Sequence, residues 1–391
     1  MTASYFVRPL DSISPRGHRL FGDPGSLGEA DMPPAPSVFT GAFKSALVGR
    51  DPLTLAAFDG RASHPDPAVT AVVGMPRQTS GRVTVEPGSL RLAHLCLARR
   101  LPGDRIEGLH ALPADLVVVD RGRSGPTVHP LRPALPAEGM AASTLLPRLP
   151  VLQAPRGKPR PGYWLTDEGL RDYLAGILPG ADRLVRSADL WGREFRPGIG
   201  LDGETRTARD GALFTSEHIT LHDGVGFLVG FSGDHGQLGD DGLLRLAGDG
   251  RAAVWSRVEW LVPEPPAQFA TARRFKVVMK TPGIFSSGWL PDGILRDGEA
   301  FQLRLPGCRA RLVAAAIPRH ELVSGWDLAR WAPKPARRAV PAGSVYWFDD
   351  LEGDRAALEG AFGEGLWGEV PDPVRRSEGY NLCQIACWPD D

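Results

Sequence analysis

An α+β fold of two domains is what this sequence predicts, on three observations. The chain has 391 residues, 42% of them hydrophobic, which is enough for two cores. It carries 47 Gly and 37 Pro, which interrupt helices and supply turns, so its elements must be short. Its apolar residues alternate with period two in several short runs and recur at the helical period in a few others.

The elements follow in order. Tyr5-Phe6-Val7 is a first strand broken by Pro9, and a Gly- and Pro-rich loop runs on to Pro36. Ser37 then caps a short helix whose Phe39, Phe43, Ala46 and Leu47 make the buried face, leaving Thr40 and Lys44 to point elsewhere. Beyond a turn-rich stretch, residues 60–90, the pattern predicts a second helix from Leu90 to Arg100 and a strand from Leu116 to Asp120. Arg121 to Gly162 is Pro-rich and reads as an insertion or extended loop. A helix starts at Thr166, with Asp167 and Glu168 complementing its dipole and Leu170, Leu174 and Ile177 as its apolar stripe. Phe214 to Leu221 and Gly224 to Phe231 flank His222-Asp223 as a β-hairpin, and Ala253 to Val262 is a further strand. Pro263, Pro265 and Pro266 set the boundary between a domain over 1–262 and one over 263–391. In the second, Arg274 to Lys280 is a strand with Phe275, Val277 and Met279 on one face and Arg274, Lys276 and Lys280 on the other. Strands at Val313 to Ile317, Val345 to Phe348 and Tyr380 to Ala386, and a helix from Asp354 to Phe362, complete it. Strands and short helices mixed in this way predict two ferredoxin-like (RRM-like) domains with long Gly/Pro-rich insertions.

Net charge is −1, which excludes a bulk polycation but not a local basic face. Four Cys in a chain of this length make no disulfide framework, and Cys383 and Cys387 have no second pair to complete a zinc site. Buried thiols in a reducing cytoplasm are expected. The stretch from Met1 to Asp11 carries charge in place of a signal-peptide core, and no run of about 18 apolar residues offers a membrane helix.

Three motifs offer chemistry, each beside a plainer reading. Gly198 to Gly203 matches G-x-G-x-x-G, yet Arg196-Pro197 before it and Glu204-Thr205-Arg206-Thr207 after it are not the strand and apolar helix a dinucleotide site needs. A glycine-rich loop edged by Arg196, Arg206 and Arg209 suits phosphate better. Asp240-Asp241, with Asp11, imitates the paired carboxylates of palm-type polymerases; the plainer reading is a solvated acidic turn. His218 and His222 stand four apart on a strand, not on the helix of a zinc protease, and read as a hydrogen-bonded surface pair. Neither cofactor nor metal is expected.

The stronger signal is distributed. Pro265 to Pro291 holds no acid but Arg273, Arg274, Lys276 and Lys280; Leu328 to Phe348 holds none but Arg330, Lys334, Arg337 and Arg338. Trp289, Trp326, Trp331 and Tyr346 are interleaved with them. Basic side chains neutralise phosphates and exposed aromatics stack bases; a solvated basic face over core aromatics gives the same pattern.

Several phrases resemble one family. "FVRPLDSI" with "PSVFTGAFKSALVG", "RPGIGLDGETRTARDGALFTSEHITL", "KTPGIFSSGWLPDG", "VSGWDLARWAPKPARRAVPAGSVYWF" and "SEGYNLCQI" occur in the order, and nearly end to end, of the third subunit of the Cmr complex. That is a RAMP protein of type III-B CRISPR systems. The resemblance implies two ferredoxin-like domains and a non-catalytic subunit that grips the repeat-derived 5′ handle of a guide RNA. It further implies partners: the large polymerase-like subunit and the backbone RAMP subunits. Two departures stand out. Where the family carries a Gly-Gly-Glu-Gly-Arg type segment, this chain reads Leu238-Gly239-Asp240-Asp241-Gly242, and Asn381 stands where glycine is common. Handle recognition should combine phosphate contacts, stacking and base-edge hydrogen bonds. The candidates are Lys44, Arg196, Arg206, Lys280, Trp289, Lys334, Arg337 and Arg338, with Ser37 and Thr40 as hydroxyl donors. Two other readings compete: a metal-dependent RNA-processing or palm-type nucleotidyl-transfer enzyme using Asp11, Asp240 and Asp241, and an adaptor that meets only protein.

Overall fold

The computed structural model describes all residues except 1, 16–26, 59–64, 80–81, 121–124, 141, 155–156, 248–249, 266–272, 328–331, 354, 364, 368–371 and 390–391. About 47% of the chain is strand, and two large antiparallel sheets dominate. The first runs, edge to edge, Leu184–Arg186, Tyr163–Thr166, Ile106–Ala111, Arg91–Arg100, Val225–Ser232, Thr2–Pro9, Arg251–Val258, Asp241–Leu246. The second runs Ile294–Asp297, Ala300–Leu305, Cys308–Ala316, Val345–Gly353, Phe275–Met279, Cys383–Cys387. The fold class is α+β.

Thr2–Pro9 is central because its apolar residues serve both faces. Tyr5 and Val7 join the main core, while Phe6 packs behind with Cys96, Ala98 and Leu228. Helix α1 (Pro36–Val48) covers the main face, and the short helices α2 (Pro52–Phe58) and α3 (Pro67–Val73) follow it, α3 adding Val69, Val72 and Val73 to the same core. Phe39, Phe43 and Leu47 fall one turn apart and are fully buried. The Phe43 ring lies 5.8 Å from Tyr5, 4.8 Å from Phe231 and 5.2 Å from Trp255. Burying a side chain of this size is worth roughly 1.5–3 kcal/mol. Helix α1 does not start as expected. Ala35 occupies the cap position without a side-chain bond, Pro36 opens the helix, and Ser37 lies inside the first turn.

Other expectations change in the same way. Arg91–Arg100 is a strand, not a helix: it pairs with Val225–Ser232 on one side and Ile106–Ala111 on the other. The 214–231 hairpin does not form. Ala208–Leu221 pairs with Trp191–Leu201, whereas Val225–Ser232 enters the first sheet, so the turn at His222 switches the chain between sheets. The glycine motif at 198–203 lies largely within Trp191–Leu201, not in a loop, and His222 lies beyond the strand that carries His218. The Pro-rich stretch forms two strands, Pro126–Ala134 and Leu149–Leu152, beside Leu116–Asp120.

Helix α4 (Asp167–Leu174) is capped by Thr166 Oγ1, which accepts from Gly169 N at 3.1 Å. Asp167 does more than complement its dipole. The buried carboxylate accepts from Gly108 N, from Trp260 Nε1 and pairs with His110 Nε2, each at 2.8 Å. A Cβ on Gly108 would stand 2.6 Å from Asp167 Oδ1, so this approach requires glycine. Ile177 lies past the end of the helix and is exposed.

In the second sheet, Phe275, Val277 and Met279 face the core closed by Leu358 and Phe362 of α5 (Arg355–Gly363). Phe275 and Phe348 stack at 4.9 Å. The opposite face, with Val278, Val345 and Trp347, packs on Leu170, Tyr173 and Leu174 of α4. That contact joins the two sheets.

Candidate nucleic-acid interface

At one margin of the junction the chain ends gather cationic side chains around Glu378. Helix α6 (Pro373–Ser377) begins at Asp372, whose carboxylate accepts from Val374 N at 3.0 Å and Arg375 N at 3.1 Å. Glu378 follows directly and is buried. One carboxylate oxygen takes the Lys334 ammonium; the other takes Arg375 Nη1 at 3.3 Å. Arg375 also donates to Ser324 O at 3.2 Å and stacks over the Tyr380 ring at 5.2 Å. Ser324 Oγ in turn donates to Lys334 O at 2.6 Å.

Helix α1 closes the same cluster. Thr40 Oγ1 reaches Pro36 O at 3.3 Å and, at the limit of a hydrogen bond, Glu378 O at 3.5 Å. The Ser37 and Tyr380 hydroxyls share a bond of 3.0 Å. One turn on from Thr40, burial pushes the Lys44 ammonium down to about 8. Glu378 opposes that shift, and Lys334 and Arg91 add to it. Lys280 is tied in through its neighbour: Thr281 Oγ1 donates to Gly379 O at 2.7 Å. Burial lowers the Lys280 pKa as well. Burial first, then the Lys280 charge, pushes His94 down to about 3, so its ring is neutral beside the Ser4 hydroxyl at 3.2 Å. Lys334 and Arg375 thus pair with one buried carboxylate, Glu378, and the Lys44 ammonium feels the same charge, so positive charge outweighs negative among these four groups. An anion is attracted more strongly to such a group of cations where water is partly excluded.

The structure brings together Ser37, Thr40, Lys44 and Lys334; the Lys280 side chain instead stands among Cys96, Cys383 and His94, and the others lie apart. Arg337 and Arg338 lie exposed on the Arg337–Ala339 strand, which pairs with Glu321–Val323. Successive strand residues point to opposite faces, so these two guanidinium groups do not act on one side. Trp289 is partly exposed, its carbonyl accepting from Tyr346 Oη at 2.6 Å and its ring edge-on to Phe301. Arg196 pairs with Glu194 at 2.8 Å on the Trp191–Leu201 strand. Arg206 sits in the turn at that strand's end, at a positive φ of 58°, its N–H donating to Asp202 O at 3.0 Å. Trp331 and Arg330 lie outside the described residues.

Sequence reasoning passed over Arg375, Glu378 and Tyr380 because it looked for acid-free runs, and the organiser of the cleft is an acid. The phrase "SEGYNLCQI" contained two of the three. Asn381 is explained. At φ 63° it occupies the backbone region asparagine tolerates better than most residues. Its side chain accepts from Ile284 N and donates to Leu366 O, each at 2.7 Å, bonds glycine could not make.

The three carboxylates of the polymerase-like reading do not converge. Asp11 pairs with Arg251 at 2.8 Å, opposite Leu246; Asp241 lies opposite Ser256, at the other end of the Asp241–Leu246 strand. Five strand residues, about 17 Å, separate those ends. Asp240 faces Arg257 at 3.4 Å. Among the described residues no group of three or more His, Cys, Asp or Glu side chains is placed to hold a metal ion.

The chain belongs among the CRISPR-associated proteins, as a match to a family model over nearly its whole length shows. The family is the CRISPR-associated protein family Cas_Cmr3: its model matches residues 5–388, and the chain belongs to it. No curated protein matches the chain. Among solved structures, one chain of the cryo-EM structure of the Type III-B Cmr-beta bound to cognate target RNA is similar over 97% of this chain and 96% of its own, at 11% identity and a TM-score of 0.48. A chain of the same assembly with cognate target RNA and AMPPnP, state 1, gives the same identity and TM-score over 97% and 98%.

Proposed function

We propose that the chain is a non-catalytic RNA-binding subunit of a type III-B CRISPR (Cmr) effector complex, holding the 5′ handle of the guide RNA in cytoplasmic antiviral defence. In this reading it contacts the large polymerase-like subunit and the backbone RAMP subunits. Its two sheets correspond to two ferredoxin-like domains, 1–262 and 263–391, and the handle lies in the cleft between them. Membership of the family supports the assembly. The observation that carries the RNA reading is the excess of positive charge at Lys44, Lys334 and Arg375 over Glu378. A single strand threaded there meets ammonium groups for its phosphates and the Ser37 hydroxyl for a hydrogen bond; Thr40, 1% exposed, spends its hydroxyl on Pro36 O and Glu378 O and stays structural.

The test is a titration of the purified chain with handle-sequence RNA across a salt series. Lys44→Met with Lys334→Met should weaken binding at least tenfold. The salt slope should flatten by about 1.4, two phosphate contacts at roughly 0.7 each for single strands. Unchanged affinity and slope in the double variant would remove the cleft from the model.

A further inference from the structure

The Pro-rich stretch forms an arm fastened to the second sheet. Its strand Pro126–Ala134 pairs with Leu116–Asp120 on one side and Leu149–Leu152 on the other. Val128 and Leu131 pack on the cluster that holds Val313 and Trp347. Leu146 is buried in the core of the second sheet, and Arg148 N donates to Val313 O at 3.0 Å. These contacts hold the base of the arm in place.

The rest of the arm keeps apolar side chains in water. Leu135 is 68% exposed, Met140 56% and Leu145 59%, and Val151 and Leu152 are exposed as well. Single exposed apolar residues are ordinary on any surface, but five within residues 135–152 are a concentration, and such concentrations mark interaction surfaces. Nine of the 42 residues from Arg121 to Gly162 are proline. Their fixed φ limits the freedom the arm has to lose on contact.

Charge and residue type define the partner. From Arg121 to Gly162 there are seven Lys or Arg and one acid, Glu138, in a chain whose net charge is −1. Lys158 and Arg160 are exposed, and with Arg148 they have no acidic partner among the described residues. Single-stranded RNA is a poor match, because the same stretch holds no Phe, Trp or Tyr on which bases could stack. Exposed Leu and Met side chains instead suit an apolar groove on a protein. Addition of a partner strand is disfavoured too: Leu149–Leu152 is an edge strand, but Pro150 within it has no N–H to offer.

We propose that this arm docks another protein subunit of the assembly, one that presents an apolar groove rimmed by Asp and Glu. Leu135, Met140 and Leu145 fill the groove, and Arg148, Lys158 and Arg160 meet the rim. The proposal rests on the chain being one subunit of an assembly, not on the cleft or the handle.

The test uses the complex purified through a tag on this chain. A photo-reactive amino acid at Met140 should crosslink to a different protein subunit, at a peptide carrying Asp or Glu among aliphatic residues. The same group at Leu295, exposed on the edge of the second sheet, should not reach that peptide. Leu135→Ser with Met140→Ser and Leu145→Ser should lower retention of that subunit about fivefold or more. Lys158→Glu with Arg160→Glu should lower it about threefold at low salt and leave it unchanged at high salt, where the charges are screened. Both variants should melt with the parent, since the altered side chains lie in water. The triple serine variant should bind handle-sequence RNA as the parent does, which keeps this surface distinct from the cleft. Crosslinks to RNA, to a second copy of this chain or to no protein would overturn the proposal. So would unchanged subunit retention in both folded variants, or loss of RNA affinity in the triple serine variant.

Discussion

The hydroxyls of Ser37 and Tyr380 lie 3.0 Å apart although 343 residues separate them in the chain. That bond fastens the first helix to the turn after the last one, and the surrounding groups make the cleft a single unit. Thr40, Lys44, Lys334, Arg375 and Glu378 all depend on this closure.

In the proposed reading Glu378 competes with an RNA phosphate for Lys334 and Arg375. Glu378→Gln keeps the shape and the capacity to accept hydrogen bonds but removes the charge. The variant should lose about 1–3 kcal/mol of stability, since Lys334 and Arg375 lose their counter-ion in a partly buried site. It should also bind single-stranded RNA severalfold more tightly, with a steeper salt dependence. Denaturant midpoints and salt-series titrations read both. Weaker RNA binding by a folded variant would show that Glu378 helps the ligand instead of competing with it.

Lys44 should make both stability and binding depend on pH. Its folded pKa of about 8 lies below the ordinary 10.5. Between those values the unfolded chain binds the extra proton, so stability rises with pH through that window and the full penalty applies below about 8. The gap corresponds to roughly 3 kcal/mol. Lys44→Met should therefore be more stable than the parent at pH 7 and should lose the slope. RNA affinity should fall as pH rises past 8, because the bound phosphate requires the charged form. Thermal melts and titrations between pH 7 and 10 check both; a parent affinity flat across that range would remove Lys44 from the interface.

Asp167 should matter for folding alone. Asp167→Ala strands Gly108 N, Trp260 Nε1 and His110 together. A loss of about 3–5 kcal/mol is expected, as for breaking other buried charge networks. Urea unfolding measures it. A loss below 1 kcal/mol would mean that water replaces the carboxylate.

Arg337 and Arg338 should not behave alike. Because adjacent strand residues face opposite ways, one substitution to Ala should flatten the RNA salt slope by about 0.7 and the other should leave it unchanged. Equal effects of the two single variants would place the strand end-on to the ligand or show that both act at long range.

The sequence by itself determined the elements whose signal is local. Phe39, Phe43 and Leu47 recur at the helical period, Thr166 precedes a helix whose first turn it can cap, and Leu116 to Asp120 is a compact apolar run; all three became the elements expected. Each depends on residues within a few positions of one another. Arg91–Arg100 misled because its apolar residues, Leu92, Leu95, Cys96 and Leu97, fit either period, and only the strands on both sides settle the choice. The hairpin at His222 failed because a turn between two apolar runs fixes their direction but not their pairing partner. Lys276 and Lys280 were legible as basic but not as buried: their shielding comes from α4, from the Arg91–Arg100 strand and from Asp115, which lies 161 residues from Lys276. Tertiary structure alone made Glu378 the centre of the cleft. A carboxylate's role is set by the cations that the fold brings within hydrogen-bonding distance, and for Glu378 one of these, Lys334, comes from 44 residues away.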